Sequence, residues 1–228
     1  MQTTRYIAEA RDAFVADGVV LCIRLENDVK LLESCRAAAR GGLRTLELTL
    51  TTPGALRTIE TLAQDSDLLV GAGTVLSVED VRRSAEAGAR FVLSPVFDPQ
   101  VVDEARQRGL LAVPGASTAT EILAAHRHGA PLVKLFPAGP LGGPAYLRAL
   151  RGPLPGIPLV PTSGPCTDDL ADYFDAGATA VGVGAEVFSP GFDETSIETV
   201  ARSIRRAADA ARIGGGRSRP APTLVGNA

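Results

Sequence analysis

Lys134 lies inside an otherwise apolar run, Leu132-Val133-Lys134-Leu135-Phe136. The chain holds two lysines, Lys30 and Lys134, against 21 arginines, so it takes arginine wherever a positive charge suffices. An amine offers what a guanidinium does not: it can lose its proton and attack a carbonyl. Taken alone, the run leaves two readings open, a nucleophile or a charge that snorkels to a strand end or pairs structurally. Glu47 sits in a comparable run, Leu46-Glu47-Leu48-Thr49-Leu50, as a carboxylate able to move protons. Two glycine turns, Pro161-Thr162-Ser163-Gly164 and Val181-Gly182-Val183-Gly184-Ala185, have the composition of backbone N–H cradles for a phosphate, although glycine also simply makes turns.

The elements that must position these residues are regular. After a leading helix over Thr4–Asp17, with Tyr6, Ile7, Ala10 and Phe14 at helical spacing, an apolar run, a polar turn and a helical stretch ending near glycine recur eight times. The strands are expected at Val19–Leu25, Leu43–Leu50, Leu68–Thr74, Ala89–Pro95, Leu110–Gly115, Leu132–Pro137, Pro158–Thr162 and Ala178–Gly184. Asn27, Ser77, Thr118 and Thr167 are expected helix caps. Strand and helix in strict alternation give parallel strands with right-handed crossovers. Eight units predict a single α/β domain, a (β/α)8 TIM barrel over residues 1–212 with an N-terminal helix. A doubly wound open sheet is the alternative. From Ile213 the chain turns to Gly, Arg, Ser and Pro, and 213–228 reads as a flexible tail.

Composition fits that frame. Apolar residues make up 45% of the chain, aromatics only 4%, and tryptophan is absent, which predicts an aliphatic core. A net charge of −3 offers no basic footprint for nucleic acid, and no apolar run reaches the roughly 18 residues of a membrane span. Three cysteines without metal-type spacing fit a reduced, cytoplasmic protein with no metal site, and Cys22 and Cys35 read as small buried hydrophobes. His126 and His128 read as exposed residues at a helix end.

Strand parity then sorts the charges. Leu46, Leu48 and Leu50 share the face that meets the helices, so Glu47, Thr49 and Thr51 point the other way. By the same rule Leu132, Lys134 and Phe136 point inward, as do Cys22 and Arg24, with Thr74 closing the third strand. Arg24, Glu47, Thr74 and Lys134 are thus expected in one interior, toward the strands' C-terminal ends where this fold places its active sites. A lysine desolvated there has its ammonium form disfavoured, and with Glu47 it suits Schiff-base chemistry on a ketone, without a cofactor. A buried salt-bridge layer is the structural alternative.

With these pieces placed, the chain resembles the 2-keto-3-deoxy-6-phosphogluconate (KDPG) and 4-hydroxy-2-oxoglutarate (KHG) aldolase family, the class I, Schiff-base aldolases. The resemblance covers about residues 5–210 and rests on Leu46-Glu47-Leu48-Thr49-Leu50, Gly71-Ala72-Gly73-Thr74, Ser94-Pro95, Val113-Pro114-Gly115, Val133-Lys134-Leu135-Phe136-Pro137-Ala138 and Pro161-Thr162-Ser163-Gly164. It implies that Lys134 forms the imine and Glu47 is the general acid/base. It implies that Thr74 binds the pyruvate-derived carboxylate region, a phosphate site at Ser163, Gly164, Gly184 and Ala185, and a homotrimer acting on a small keto acid; Arg24, Thr51, Pro95 and Phe136 are the other expected substrate-binding residues. Three positions depart from the family pattern. Thr51 stands where many members have an arginine that holds the substrate carboxylate, and Arg24 is expected to supply that charge. Ser163 replaces a glycine, and Ala185 a serine. A ligand-binding barrel without turnover and a sugar-phosphate epimerase or isomerase are the other functions considered.

Overall fold

The computed structural model describes residues 2–189 and 191–215. Strand and helix alternate along it: α1 (Gln2–Asp17), β1 (Val19–Ile23), α2 (Leu31–Arg40), β2 (Thr45–Thr49), α3 (Ala55–Leu62), β3 (Leu69–Gly73), α4 (Val78–Glu86), β4 (Phe91–Leu93) and α5 (Pro99–Gln107). Then follow β5 (Leu111–Val113), β6 (Gly115–Ala116), α6 (Ala119–Arg127), β7 (Val133–Leu135), α7 (Gly143–Arg151), β8 (Leu159–Pro161), α8 (Leu170–Asp175), β9 (Val181–Val183) and α9 (Glu194–Gly215). Helix α9 runs three residues into the expected tail, and 216–228, the rest of that tail, lies outside the described residues. Among the described residues no helix is long and apolar enough to cross a membrane.

Every described strand pairing is parallel. Six strands form one sheet in the order β5-β4-β3-β2-β1-β9, and β6-β7-β8 form a second. Two links join the sheets, one an isolated bridge and one the chain itself. A bridge between Thr162 and Gly182 ties β8 to β9. At the other edge only Pro114 separates β5 from β6, and a proline has no N–H to give the ladder. The observed strands are shorter than the apolar runs that announced them, and some residues past the strand ends stay buried without joining a named strand. Ser94 and Thr162 are examples, at 4% and 5% exposure.

Two apolar layers result, as strand parity requires. Leu21, Ile23, Leu46, Leu48, Val133 and Leu135 pack against the helices. Val20, Phe91, Leu93, Leu111, Val113, Leu132 and Val160 face one another on the opposite side of the curled sheet. Helix α1 joins this inner layer through Ala10 and Phe14, and the Phe14 ring meets Phe91 edge-on at 5.3 Å between centroids. Burying Phe14 contributes on the order of 2–3 kcal/mol. The leading helix therefore stops the N-terminal end of the interior, and polar side chains are left to the other end. Tyr6, expected on the same face, lies outside it at 44% exposure.

The helix caps divide by whether the side chain can reach the first free N–H. Ser77 accepts from Asp80 N, and Thr118 forms a capping box with Glu121. Asn27 does not cap: its side chain accepts from Val29 N in a turn, and α2 begins only at Leu31. Thr167 opens a 3₁₀ turn and donates to Glu186 instead.

Candidate functional site

Lys134 is the middle residue of β7 and Glu47 of β2. They are 5% and 1% exposed, and Lys134 Nζ lies 3.7 Å from Glu47 Oε1. That is ion-pair distance, longer than a direct hydrogen bond. The Phe136 ring covers the amine, its centroid 5.1 Å from Nζ. Phe136 is held in turn: its carbonyl accepts from Ser117 Oγ at 2.6 Å, and Tyr146 Oη donates to the Ser117 carbonyl.

Glu47 rests on Gly73. A Cβ there would meet Glu47 Cγ and Cδ at 2.6 Å, so only glycine leaves room for the carboxylate. On its other side Cys22 donates to Glu47 Oε2 at 2.6 Å. Cys22 and Glu47 are direct register partners on β1 and β2, and Glu47 pairs with Gly71 on β3. Burial first, and then the Glu47 charge, push the Cys22 thiol well up from its ordinary value. The sequence placed Cys22 on the inward face but read it as a small hydrophobe. Its parity with Arg24, next to the strand carrying Glu47, was the available signal.

Arg24 differs from expectation. It lies one residue beyond β1, where the sheet no longer walls it in, and it is exposed at the rim rather than inside. Its guanidinium bridges the mouth: Nη1 donates to Thr51 Oγ1 at 2.9 Å and Nη2 to Thr74 Oγ1 at 3.0 Å. Thr51 donates to Thr49, which is bonded to the Ile23 carbonyl, and Thr52 accepts from Leu25 N. These hydroxyls tie the end of β2 to the end of β1 and aim Arg24. Thr74 holds a left-handed backbone, φ +58°, unusual for a branched residue and costly enough to mark a constrained position. Beside Arg24 a cavity of about 700 Å³ opens between the turns after β1 and β9, lined by Leu25, Val29, Lys30, Phe188 and Phe192.

The two glycine turns are at the same end. Gly164 packs against Gly139 so closely that a Cβ on it would lie 2.6 Å from Gly139 N, and Gly139 N donates to the Ser163 carbonyl. Ser163 takes φ +66°, a left-handed conformation that favours glycine. Gly184 lies against the Cys22 carbonyl, and Ala185 is exposed. Pro95, expected within a strand, lies two residues past β4 with its carbonyl against Gly115. His126 and His128 end α6 as expected but are half-buried. His128 packs on Phe97 and pairs with Asp103 at 3.0 Å, so that pair ties α6 to α5.

A family model, that of KDPG and KHG aldolase, matches residues 12–202. The chain belongs to this aldolase family. It is an aldolase, and therefore a lyase. The 2-dehydro-3-deoxy-phosphogluconate aldolase of Treponema pallidum is 41% identical over 168 residues, which span 73% of this chain and 79% of the relative. The solved structure of native KDPGal superposes with a TM-score of 0.80 at 28% identity, covering 86% of this chain and 96% of that one. The KDPG aldolase of Legionella pneumophila, solved with pyruvate captured as a covalent carbinolamine, gives 0.74 at 27% identity, covering 89% and 97%. The aldolase fold is thus an α/β one with a curled parallel sheet, and in this chain Lys134 and Glu47 face each other within it.

Proposed function

We propose that this chain is a class I aldolase that cleaves a 2-keto-3-deoxy-6-phospho sugar acid or 4-hydroxy-2-oxoglutarate to pyruvate and an aldehyde, glyceraldehyde 3-phosphate or glyoxylate, through a Schiff base on Lys134. One observation carries the reading: the amine and the carboxylate, both buried, face each other at 3.7 Å beneath the Arg24 bridge. Lys134 Nζ adds to the ketone carbon, and loss of water leaves an iminium. Glu47, acting through a water, removes the C4 hydroxyl proton, the C3–C4 bond breaks, and its electrons pass into the iminium to give an enamine and the free aldehyde. Protonation at C3 and hydrolysis return pyruvate and the free amine. Arg24, fixed by Thr51 and Thr74, meets the substrate carboxylate as a planar fork, which answers the absence of an arginine at position 51. Phe136 and Pro95 wall the pyruvyl half. The turns at Ser163-Gly164 and Gly184-Ala185 take the far end, where a phosphate meets backbone N–H groups. Holding the groups in register supplies much of the rate.

We read the two sheets as one closed (β/α)8 barrel, with β5 and β6 as a single strand broken at Pro114, acting as a cytoplasmic homotrimer on a freely diffusing keto acid. Light scattering tests the oligomer. Borohydride reduction in the presence of pyruvate tests the chemistry: the expected product carries the pyruvyl mass on Lys134, and Lys134→Met carries none. Wild-type protein that cleaves keto acids without trapping would refute the imine.

A further inference from the structure

Glu47 is asked to do two things in one turnover, to take a proton at one carbon's hydroxyl and to serve protonation at the neighbouring carbon. Both need its carboxylate to stay in one plane. Covalent geometry does not secure this, because the terminal torsion of a glutamate is broad and roughly two-fold. A partner must set it. Lys134 is outside hydrogen-bond range of Oε1, at 3.7 Å, and must be free to react. Gly73 supplies a floor but no bond. Among the described residues the hydrogen-bond donor to this carboxylate is the Cys22 thiol, on Oε2.

We propose that Cys22 is a positioning residue for the reaction: by holding Oε2 it turns Oε1 toward Lys134 and the substrate. This rests on the aldolase reading above. The thiol is well placed for the task. Cys22 is the direct neighbour of Glu47 in the β1–β2 register, and β9 pairs with β1 on the other side through Leu21 and Val183. Gly184 packs against the Cys22 carbonyl and has no room for a side chain, so the strand that carries the thiol cannot slide. A thiol is a weak donor between neutral groups, but a carboxylate acceptor makes the bond charge-assisted. Burial and the nearby charge push its pKa well up, so the donor keeps its proton through neutral pH. A hydroxyl would also donate, whereas an aliphatic side chain would not.

That contrast defines the experiment. Cys22→Ser keeps the donor in a slightly smaller side chain, Cys22→Ala loses the donor at nearly the volume of serine, and Cys22→Val loses the donor in a bulkier side chain. Two readouts are taken on the full chain, borohydride trapping of the pyruvate imine and exchange of the pyruvate methyl hydrogens in D2O followed by NMR. Trapping needs only Lys134, whereas exchange needs proton transfer at the carbon next to the imine. We expect trapping in every variant. Exchange and kcat fall at least tenfold in Cys22→Val and Cys22→Ala, the size expected for losing a hydrogen bond to a charged group, with KM within about twofold. Cys22→Ser stays within about threefold of wild type. Full exchange in Cys22→Val, or a Cys22→Ser variant as slow as Cys22→Val, overturns the proposal while leaving the aldolase reading intact. Absence of trapping in the wild type overturns both. Serine against alanine separates donor from volume, and if the alanine variant fails to fold, full exchange in Cys22→Val or slow exchange in Cys22→Ser still overturns the proposal.

Discussion

Gly73→Ala perturbs the site by a single methyl group. Gly73 ends β3 directly under Glu47, and the new Cβ would lie 2.6 Å from Glu47 Cγ and Cδ. Carbon atoms in contact prefer about 3.5–4.0 Å, so roughly 1 Å of separation must open. Gly73 is not among the glycines with a positive φ, so alanine meets no backbone penalty and the effect isolates the clash. The floor cannot drop, because Gly73 is paired with Thr49 in the ladder. The carboxylate must rise instead, off the Cys22 thiol and out of line with Lys134. A 1 Å misplacement of a reacting group costs on the order of 10²-fold in rate. Overpacking of this kind costs about 1–3 kcal/mol, or roughly 2–12 °C in Tm for a chain of this length. The assay is pyruvate release coupled to a reductase, with trapping run alongside. We expect kcat to fall about 100-fold while Lys134 still traps pyruvate. A Gly73→Ala enzyme with wild-type kcat would mean that Glu47 does not work from the position seen here.

Three further outcomes can be checked directly. Arg24→Lys keeps the charge but cannot bridge Thr51 and Thr74 together, so kcat/KM for the keto acid should fall about tenfold or more, mostly through KM; an unchanged KM in steady-state kinetics would remove Arg24 from the binding role. Ser163→Gly relieves a left-handed serine at φ +66°, and after the extra chain entropy of glycine it should stabilise the fold by roughly 0.5–1 kcal/mol in urea unfolding; a loss of stability would show that the Ser163 side chain makes up for its strain. Cys35 is buried and its pKa is pushed up to about 12. Its neutral form is compatible with the fold and its thiolate is not, so the stability it gives is complete below the unfolded thiol value of about 8.5 and is lost as pH rises through that value toward 12. Cys35→Ala should therefore show a shallower fall of Tm between pH 8 and 10 than the wild type, whatever its absolute Tm.

Much of the site was legible because strand parity is a strict rule. Alternation in Leu46-Glu47-Leu48 and Val133-Lys134-Leu135 is enough to put Glu47 and Lys134 on the face away from the helices, and both are buried there. Arg24 obeys the same parity, yet it lies beyond the last β1 pairing, at a depth that parity does not encode. The bond from Cys22 to Glu47 was not readable either. It depends on which residue of β1 stands opposite which residue of β2, and a one-residue slip would pair Glu47 with a leucine or an isoleucine instead.

The sequence by itself determined the order of elements, the parallel pairing, the aliphatic core and the strand face that Lys134 and Glu47 take. These depend on local periodicity, on glycine and cap positions, and on rare residue choices such as a lysine in a chain of arginines. The tertiary structure decided what depends on register and depth. It set the 3.7 Å between Lys134 and Glu47, the Arg24 fork held by Thr51 and Thr74, and the replacement of an expected Thr167 cap by a bond to Glu186. It also turned a cysteine that composition marks as inert filler into the partner of Glu47. The physical reason is that a side chain's neighbours along the chain fix which way it points, whereas its chemistry is fixed by neighbours that only the folded sheet brings within a few ångströms.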